Sequence, residues 1–442
     1  MDPLRVLVVG SGGREHALAW RLARDPEVAE VLAAPGNPGM EGVARRVAAG
    51  ESDAAALAEA CRRERVGLVV IGPEGPLAAG VADALEAAGF AVCGASRAAA
   101  RLESSKWFAK EVMREAGVPT ARAEAHDDLD AARRALDRFA PPWVVKADGL
   151  AGGKGVCVSA ERAEAERFLA DSLAGARFGA SGRRVVIEEF LAGEEASVMA
   201  VCDGRRFVLL PAARDFKRAL DGDAGPNTGG MGACAPAPGV DEATAAAVAQ
   251  RVVAPVLAAM ERRGAPFRGA LYCGLMLGPQ GPRVLEFNAR LGDPESEVVL
   301  PLLGGSLARL LRSAAGGALE EDAVRAQPGA AVAVAIVDQG YPDAVRGGGR
   351  ITGLEALRAR GDLLVFHGGC ERQGTDWVVR GGRAAYVVAQ GRDREVARAR
   401  AYAAIATLGG TGWRVRHDIA AEDGPRAAGA GGAQRGATYD GA

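Results

Sequence analysis

The run Leu285-Glu286-Phe287-Asn288-Ala289-Arg290 sets a carboxylate, an amide and a guanidinium at every second position. In an extended strand such residues share a face, so Glu286, Asn288 and Arg290 project together while Leu285, Phe287 and Ala289 line the other side. Carboxylate and amide oxygens suit Mg²⁺, which takes few protein ligands and keeps phosphates and waters as the rest. The guanidinium suits the phosphate that travels with such an ion. Gly292-Asp293-Pro294-Glu295 continues the run.

A second set of cations lies upstream. Lys146 ends the apolar stretch Trp143-Val144-Val145, and Gly152-Gly153-Lys154-Gly155 turns the chain into the next apolar stretch. Lysines beside a glycine loop can grip nucleotide phosphates without a helix; an ordinary hairpin with solvated lysines is the plainer alternative. Glu188-Glu189-Phe190-Leu191 closes a strand with two acids and an apolar pair, which suits a hinge that reads adenine while an acid reaches the ribose. Glu195 is a second candidate for the ribose. Standing alone, an acid pair at a strand end is usually just solvated.

Two further segments could hold a small anionic substrate. Gly10-Ser11-Gly12-Gly13-Arg14-Glu15-His16 lies between a strand and a helix, where glycines allow close approach and the helix N-terminus favours an anion. It departs from a dinucleotide fingerprint: Glu15 occupies the third glycine position, and the second strand ends in Ala33-Ala34-Pro35-Gly36 with no acid. Gly72-Pro73-Glu74-Gly75 would place Glu74 in the same crevice, although it also reads as a simple turn. After Asp215-Phe216-Lys217-Arg218, the glycine-rich Gly225-Pro226-Asn227-Thr228-Gly229-Gly230-Met231-Gly232 reads as a backbone cradle for a carboxylate or a developing acyl phosphate.

The elements that must position these groups follow from periodicity. Strands at Leu4–Val9, Val28–Ala34, Leu68–Ile71 and Ala91–Cys93 alternate with helices at Glu15–Arg24, Ala54–Arg65 and Leu77–Ala88. That order predicts a doubly wound parallel sheet with ligands at the carboxyl ends of its strands. A helix at Ser105–Ala116 then leads to a small α+β module with strands at Trp143–Lys146, Val156–Ser159 and Val185–Glu189. Further strands follow at Ala196–Val201, Phe207–Ala212, Leu271–Leu277 and Arg283–Phe287, interrupted by a helix at Glu242–Arg263. From about 330 a small C-terminal α/β domain begins. The expected divisions are 1–103, 104–325, 326–420, and a disordered tail at 421–442.

Composition bounds the partners. The 442 residues are 49% hydrophobic and 25% charged with a formal net charge of −2, so neither a basic stripe for nucleic acid nor a long apolar span for a membrane is expected. The seven cysteines (Cys61, Cys93, Cys157, Cys202, Cys234, Cys273 and Cys370) are scattered, as for buried thiols in a reducing, cytoplasmic setting. Only four histidines occur, none paired at metal spacing.

In order, Gly12-Gly13-Arg14-Glu15-His16, Gly72-Pro73-Glu74, Ser105-Lys106, Lys146–Ala151, Gly153–Val156, Glu188–Leu191, Gly225–Ala233, Glu286-Phe287-Asn288 and Gly292–Glu295 make the chain resemble the glycinamide ribonucleotide synthetases, or phosphoribosylamine–glycine ligases. These are ATP-grasp enzymes of purine biosynthesis. The resemblance implies an N-terminal substrate domain, a mobile lid at about 120–190 within the second division, an ATP-grasp sheet and a C-terminal domain. It implies ATP with Mg²⁺ (or Mn²⁺), glycine and 5-phosphoribosylamine or another amine as small-molecule partners, a glycyl phosphate, and release of ADP and phosphate. By position, Lys106 and Lys146 would contact ATP phosphates, Glu188–Leu191 would hold adenine, and Glu286 and Asn288 would bind the metal. Arg290 would steady the phosphoryl group, with Lys217, Asp215 and Asp293 the other catalytic candidates. A monomer or small homo-oligomer is expected.

The chain departs from the family pattern at several points. Ala213-Arg214-Asp215-Phe216 stands where Ser-Gln-Asp-His is usual, Leu291 replaces Phe, Glu297 replaces Gln, and Gly304-Gly305-Ser306 replaces a polar segment. Gly75 and Ser104 replace Ala and Gly. An added acid at 297 near a phosphorylated substrate would cost affinity unless a cation such as Arg214 compensates. Three readings follow: the purine-pathway ligase, a paralogue joining another carboxylate and amine, or a non-catalytic nucleotide-binding protein.

Overall fold

The computed structural model describes residues 4–175 and 178–421, so residues 422–442 of the expected tail lie outside the described residues. The chain forms two compact units, Ala121–Leu191 on the one hand and the segments up to Thr120 and from Ala192 to Ala421 on the other.

In the larger unit, β1 (Leu4–Gly10), β2 (Val28–Pro35), β3 (Arg45–Arg46), β4 (Leu68–Ile71) and β5 (Val92–Cys93) build a parallel sheet in the order β3-β2-β1-β4-β5. The runs Val6–Val9 and Leu68–Ile71 are apolar throughout because both faces of this sheet are covered. The covering helices are α1 (Gly13–Leu22), α2 (Ala54–Glu64), α3 (Glu74–Ala79) and α4 (Val81–Ala87). The single helix expected over Leu77–Ala88 is instead two, starting earlier at Glu74. Gly80 adopts φ +86 between them, a left-handed conformation that ends α3. Next come α5 (Arg101–Ser104) and α6 (Lys106–Glu115), the latter capped by the Ser105 hydroxyl, which accepts from Phe108 N–H at 3.1 Å.

The smaller unit is an antiparallel sheet of β6 (Ala123–His126), β7 (Trp143–Ala147), β8 (Val156–Ser159) and β9 (Val185–Glu188) in the order β6-β9-β7-β8. The helices α7 (Leu129–Ala135) and α8 (Arg162–Leu173) close its core with Leu136, Phe168 and Leu169. Asp128 caps α7 by accepting from Ala131 N–H at 2.8 Å.

The central antiparallel sheet of the larger unit runs β11-β10-β16-β17, where β10 is Glu194–Asp203, β11 Phe207–Leu209, β16 Arg268–Gly278 and β17 Gly281–Asn288. Between β11 and β16 lie β12 (Arg214–Asp215), the hairpin β13 (Arg218–Leu220) and β14 (Ala224–Asn227), and β15 (Gly232–Ala235). Then α9 (Glu242–Val248), a π-helical turn over Ala249–Val253, and α10 (Ala254–Arg262) form one continuous stretch. Contrary to expectation, these 21 residues are long and apolar enough to cross a membrane by length and hydropathy alone. Their apolar stripe (Val248, Val252, Val256, Met260) is buried in the protein core, so the hydropathy is that of a packed helix.

After β17 come α11 (Glu295–Val299), β18 (Leu303–Gly305), α12 (Leu307–Ala315) and β19 (Val324–Ala326), and then β20 (Ala330–Asp338). The C-terminal elements are β21 (Arg350–Thr352), α13 (Leu354–Arg358), β22 (Leu363–His367), β23 (Cys370–Gln373), β24 (Asp376–Val379), β25 (Arg383–Gly391), α14 (Arg394–Ile405), β26 (Gly409–Thr411) and β27 (Trp413–Arg414). One sheet runs β12-β15-β20-β25-β22, so a hydrogen-bonded ladder crosses the division expected at 325/326. A second C-terminal sheet, β23-β24-β21-β26, was not expected from the sequence.

The N-terminal helix α1 meets β22 through two buried histidines. His16 Nδ1 accepts from His367 N–H at 2.9 Å, the rings stack at 5.5 Å, and Trp377 packs on His367 at 4.0 Å. Burial, then the charge of Arg358, pushes His16 down to about 3. The bond accepted at Nδ1 also requires that nitrogen to carry no proton. Because the unfolded side chain titrates near 6.5, its contribution to stability is full above that pH and is lost as pH falls towards 3. Unfolding free energy should therefore drop by about 1 kcal/mol per pH unit from this group below pH 6.5. His16→Asn, which can accept the same N–H, should flatten the acid limb in chemical unfolding between pH 6.5 and 4. An unchanged slope would remove His16 as the cause.

Candidate active site

The floor of the candidate site is a patch of three adjacent strands. Ser197 of β10 lies opposite Gly274 of β16, which lies opposite Glu286 of β17; Met199, Tyr272 and Asn288 form the next row. Directly opposed residues share a face, so Glu286 and Asn288 stand beside Ser197 and Tyr272. Leu285 is a bulge residue: Glu286 pairs with Gly274 and Val284 with Leu275. The bulge resets the alternation, burying Val284 and Phe287 while Glu286 and Asn288 stay half-buried on the outward face. Gly274 leaves room there; a methyl on it would lie 3.2 Å from Glu286 Cγ. Ser197 Oγ donates to Glu295 Oε1 at 2.7 Å and shares a 2.8 Å bond with the Tyr272 hydroxyl.

Arg290 is not on the strand with Glu286 and Asn288, because β17 ends at Asn288. Its guanidinium donates to Glu74 at 3.0 Å, pairs with Glu103 at 3.0 Å and reaches Leu291 O at 3.1 Å. Burial opposes this charge, but Glu103 and Glu74 outweigh it and raise the Arg290 pKa further. For Glu74 burial is outweighed by Arg290 and Arg14, which lower its pKa; for the deeper Glu103 burial prevails and raises it.

The glycine turn ahead of α1 is closed by the residue that breaks the dinucleotide pattern. Glu15 accepts from Gly12 N–H at 2.7 Å and from Arg14 Nε at 2.6 Å. Gly10 and Gly72 give it space, since a methyl on either would overlap the Glu15 side chain. Gly13 packs against Tyr386 and Glu297 in the same way.

The expected cradle has a different internal logic. Gly229 N–H donates to the Tyr341 hydroxyl at 2.8 Å, Gly230 N–H to Thr228 Oγ1 at 2.9 Å and Met231 N–H to Phe216 O at 2.8 Å. Those amides are already engaged within the protein. Gly230, at φ +112, brings the turn against Asp215, whose Oδ1 a methyl there would approach to 2.6 Å. Asp215 Oδ1 is buried without a hydrogen bond among the described residues, and burial together with Glu295 holds its carboxyl well above the usual range. Lys217 Nζ binds Glu195 Oε2 at 2.6 Å; burial opposes its charge, but Glu195 leads the groups that raise its pKa. Arg383 of β25 donates to Gly229 O and, at 3.0 Å, to Asp293 O, while the Tyr386 hydroxyl donates to Asp293 Oδ1 at 2.7 Å.

In the smaller unit, Lys146 of β7 is buried and pairs with Glu188 of β9 at 3.1 Å. Gly152 (φ +56) and Gly153 (φ +77) make the exposed turn that carries Lys154, and Ala147 N–H donates to Gly155 O at 2.8 Å to close the loop. Glu189 Oε1 accepts from Arg122 N–H at 3.0 Å, Phe190 is exposed and Leu191 buried. Lys106, in the larger unit, opens α6.

Three family descriptions match this chain in sequence: phosphoribosylglycinamide synthetase N domain over residues 4–103, its ATP-grasp (A) domain over 104–296, and its C domain over 331–422. The chain belongs to the phosphoribosylglycinamide synthetase family. Curated relatives named phosphoribosylamine–glycine ligase include one from Caulobacter vibrioides, 45% identical over 95% of this chain and 98% of that protein. Another, from Streptomyces coelicolor, is 47% identical over 95% and 99%. The crystal structure of phosphoribosylamine–glycine ligase from Thermotoga maritima is similar with a TM-score of 0.81 and 35% identity, covering 94% of this chain and all of that one. A biotin carboxylase domain from Hydrogenobacter thermophilus shares the fold alone, at TM-score 0.69 and 17% identity over 93% and 91%.

Within this family fold the departures at Phe216, Leu291 and Glu297 are interior, whereas Gly75 and Gly305 are exposed. Phe216 is buried under the Arg416 guanidinium at 5.6 Å, and Leu291 is buried. Arg214 pairs with Glu194 and so is not the cation that answers Glu297; that position faces Arg383 and Arg14. Sequence reasoning missed Ser197, Tyr272, Glu103, Tyr341, Arg383 and Tyr386. Ser197 carried a signal, alternating with Glu195 along one strand; the C-terminal three meet their partners only through the sheet.

Arg290→Met would leave Glu103 buried without its cation and should cost about 3–5 kcal/mol in chemical unfolding. Adding Glu103→Gln should restore part of that loss; an additive second penalty would show that the pair is not coupled.

Proposed function

We propose that this chain ligates glycine to 5-phosphoribosylamine at the expense of ATP, giving glycinamide ribonucleotide, ADP and phosphate. The observation that carries this reading is the family match along nearly the whole chain, with relatives of that activity at 45–47% identity. The burial of Phe216 and Leu291 favours it over a paralogue with another substrate pair, because both side chains pack inside the protein.

Glu286 and Asn288 fit a Mg²⁺ site by chemistry: two oxygen donors on one outward strand face, with no cluster of three or more His, Cys, Asp or Glu among the described residues that would form a closed cage. When bound, such an ion would offset phosphate charge by several kcal/mol; Mn²⁺ would meet the same donors. In the smaller unit, Lys146, Lys154 and the loop Gly152-Gly153-Gly155 are assigned to nucleotide phosphates, and Glu188, Glu189, Phe190 and Leu191 to adenosine. Lys106 and Glu195 are the corresponding candidates in the larger unit.

A glycine carboxylate oxygen would attack the terminal phosphorus of ATP as ADP leaves. The amine nitrogen would then attack the acyl carbon, phosphate would depart, and the amine would lose a proton. Lys217 is assigned to the carboxylate or acyl phosphate and Asp215 to the substrate's ammonium. Gly12, Gly13 and Glu74 are assigned to the phosphoribosylamine, with Thr228, Gly229, Gly230, Met231 and Gly232 setting the turn behind Asp215. Arg290, held by Glu74 and Glu103, and Asp293, held by Tyr386 and Arg383, would act chiefly by fixing this geometry.

Mass spectrometry of a reaction with Mg-ATP, glycine and freshly generated 5-phosphoribosylamine should show a glycine-dependent adduct and one ADP per adduct. ADP release only with another amino acid or amine would establish the paralogue, and ATP binding without turnover a non-catalytic protein. Glu286→Ala should abolish ADP formation with unchanged circular dichroism. Lys146→Ala should raise the KM for ATP; an unaltered ATP response would remove Lys146 from the phosphate site.

A further inference from the structure

Glu297, on the first turn of α11, is fully buried, and neither of its carboxyl oxygens receives a hydrogen bond among the described residues. A methyl on Gly13 would lie 2.6 Å from its Oε1, so the carboxyl rests directly on the first turn of α1. The charged and titratable groups that face it come from three elements. Asp293 lies just before α11, Arg14 on α1, and Arg383 and Tyr386 on β25.

The hydrogen bonds that these groups make run to other partners. Arg383 binds Asp293 Oδ1 at 3.0 Å and two backbone carbonyls; Arg14 binds Glu15 and, at 3.2 Å, Leu291 O; Tyr386 donates to Asp293. An ionised carboxylate here would be desolvated and beside a second carboxylate, with its own backbone N–H as the near donor. An unpaired charge in such a place is far more costly than a neutral polar group. Burial first, and Asp293 second, push the Glu297 carboxyl well above its ordinary range; Arg383, the residue's own backbone N–H and Arg14 pull the other way and are outweighed.

We propose that Glu297 serves as an uncharged carboxylic acid, a positioning group whose neutrality lets α11 and Asp293 seat against the Gly12–Gly13 turn. Loss of its proton would set two negative charges side by side under that turn and push α11 from it. The kinetic side of this inference rests on the proposed function, in which the turn holds the amine substrate; the stability side does not.

The test is the pH dependence of unfolding in the wild type, Glu297→Gln and Glu297→Met. A carboxyl whose folded pKa is raised contributes stability that is complete below its unfolded value and is lost as pH rises through the folded one. The wild type should match Glu297→Gln near pH 4.5. It should then fall behind by about a factor of ten in the unfolding equilibrium constant per pH unit until the folded pKa is reached. A constant offset across pH 4.5–9, or a wild type that gains on both variants as pH rises, would mean that Glu297 is ionised and would overturn the proposal. So would the failure of both variants to fold at pH 8. With Mg-ATP and glycine saturating, the KM for phosphoribosylamine should rise at alkaline pH more steeply in the wild type than in Glu297→Gln, with kcat moving in parallel. Identical KM profiles would refute the positioning role while leaving the ligase reading intact.

Discussion

A guanidinium buried among carboxylates is stable only while their number and distances are held, and Arg290 imposes that condition on this fold. Glu74 follows β4, Glu103 lies in α5 and Arg290 leaves β17, so one side chain ties three distant stretches of chain together. Ala289 N–H adds a 2.8 Å bond to Glu103 Oε2. The exit of β17 is thereby clamped at the residues next to Glu286 and Asn288. A site that works by positioning gains from such a clamp, because small displacements of charged groups weaken their action on a phosphoryl group.

The same principle governs the glycine-rich turns. Glycines are usually read as openings for a ligand, yet Gly10 and Gly72 make room for the protein's own Glu15, and Gly229–Met231 direct their amides inward. What the 228–232 turn leaves without a hydrogen bond among the described residues is one oxygen of an acid, Asp215, beside a lysine already held by Glu195. The electrostatic character of the candidate site thus comes from side chains set by backbone turns more than from the turns themselves.

Much of this was legible in residue order. The parallel sheet, the small α+β module and the outward pairing of Glu286 with Asn288 follow from apolar runs and alternation, which are local properties. Arg290 was placed on the strand with them because alternation was carried past its end; neither the end of β17 at Asn288 nor the bulge at Leu285 is signalled by residue type. The break at Gly80 lay inside an otherwise helical pattern, where glycine is tolerated as often as it terminates. Tyr341, Arg383 and Tyr386 were out of reach for another reason. Their partners lie 90 to 154 residues away, and the strand order brings them together.

That strand order also limits how the chain can be divided. Since β12 and β15 are paired into the sheet of β20 and β25, the turn between Asp215 and Gly232 has its hydrogen-bonded floor in a segment that begins a hundred residues later. A fragment ending before Ala330 would expose the edge of β15 and strand the Gly229 amide without its tyrosine. The C-terminal segment is therefore not a module to be exchanged or inherited alone. Recombination between relatives would preserve function only if residues 213–236 and 330–391 travelled as a matched pair.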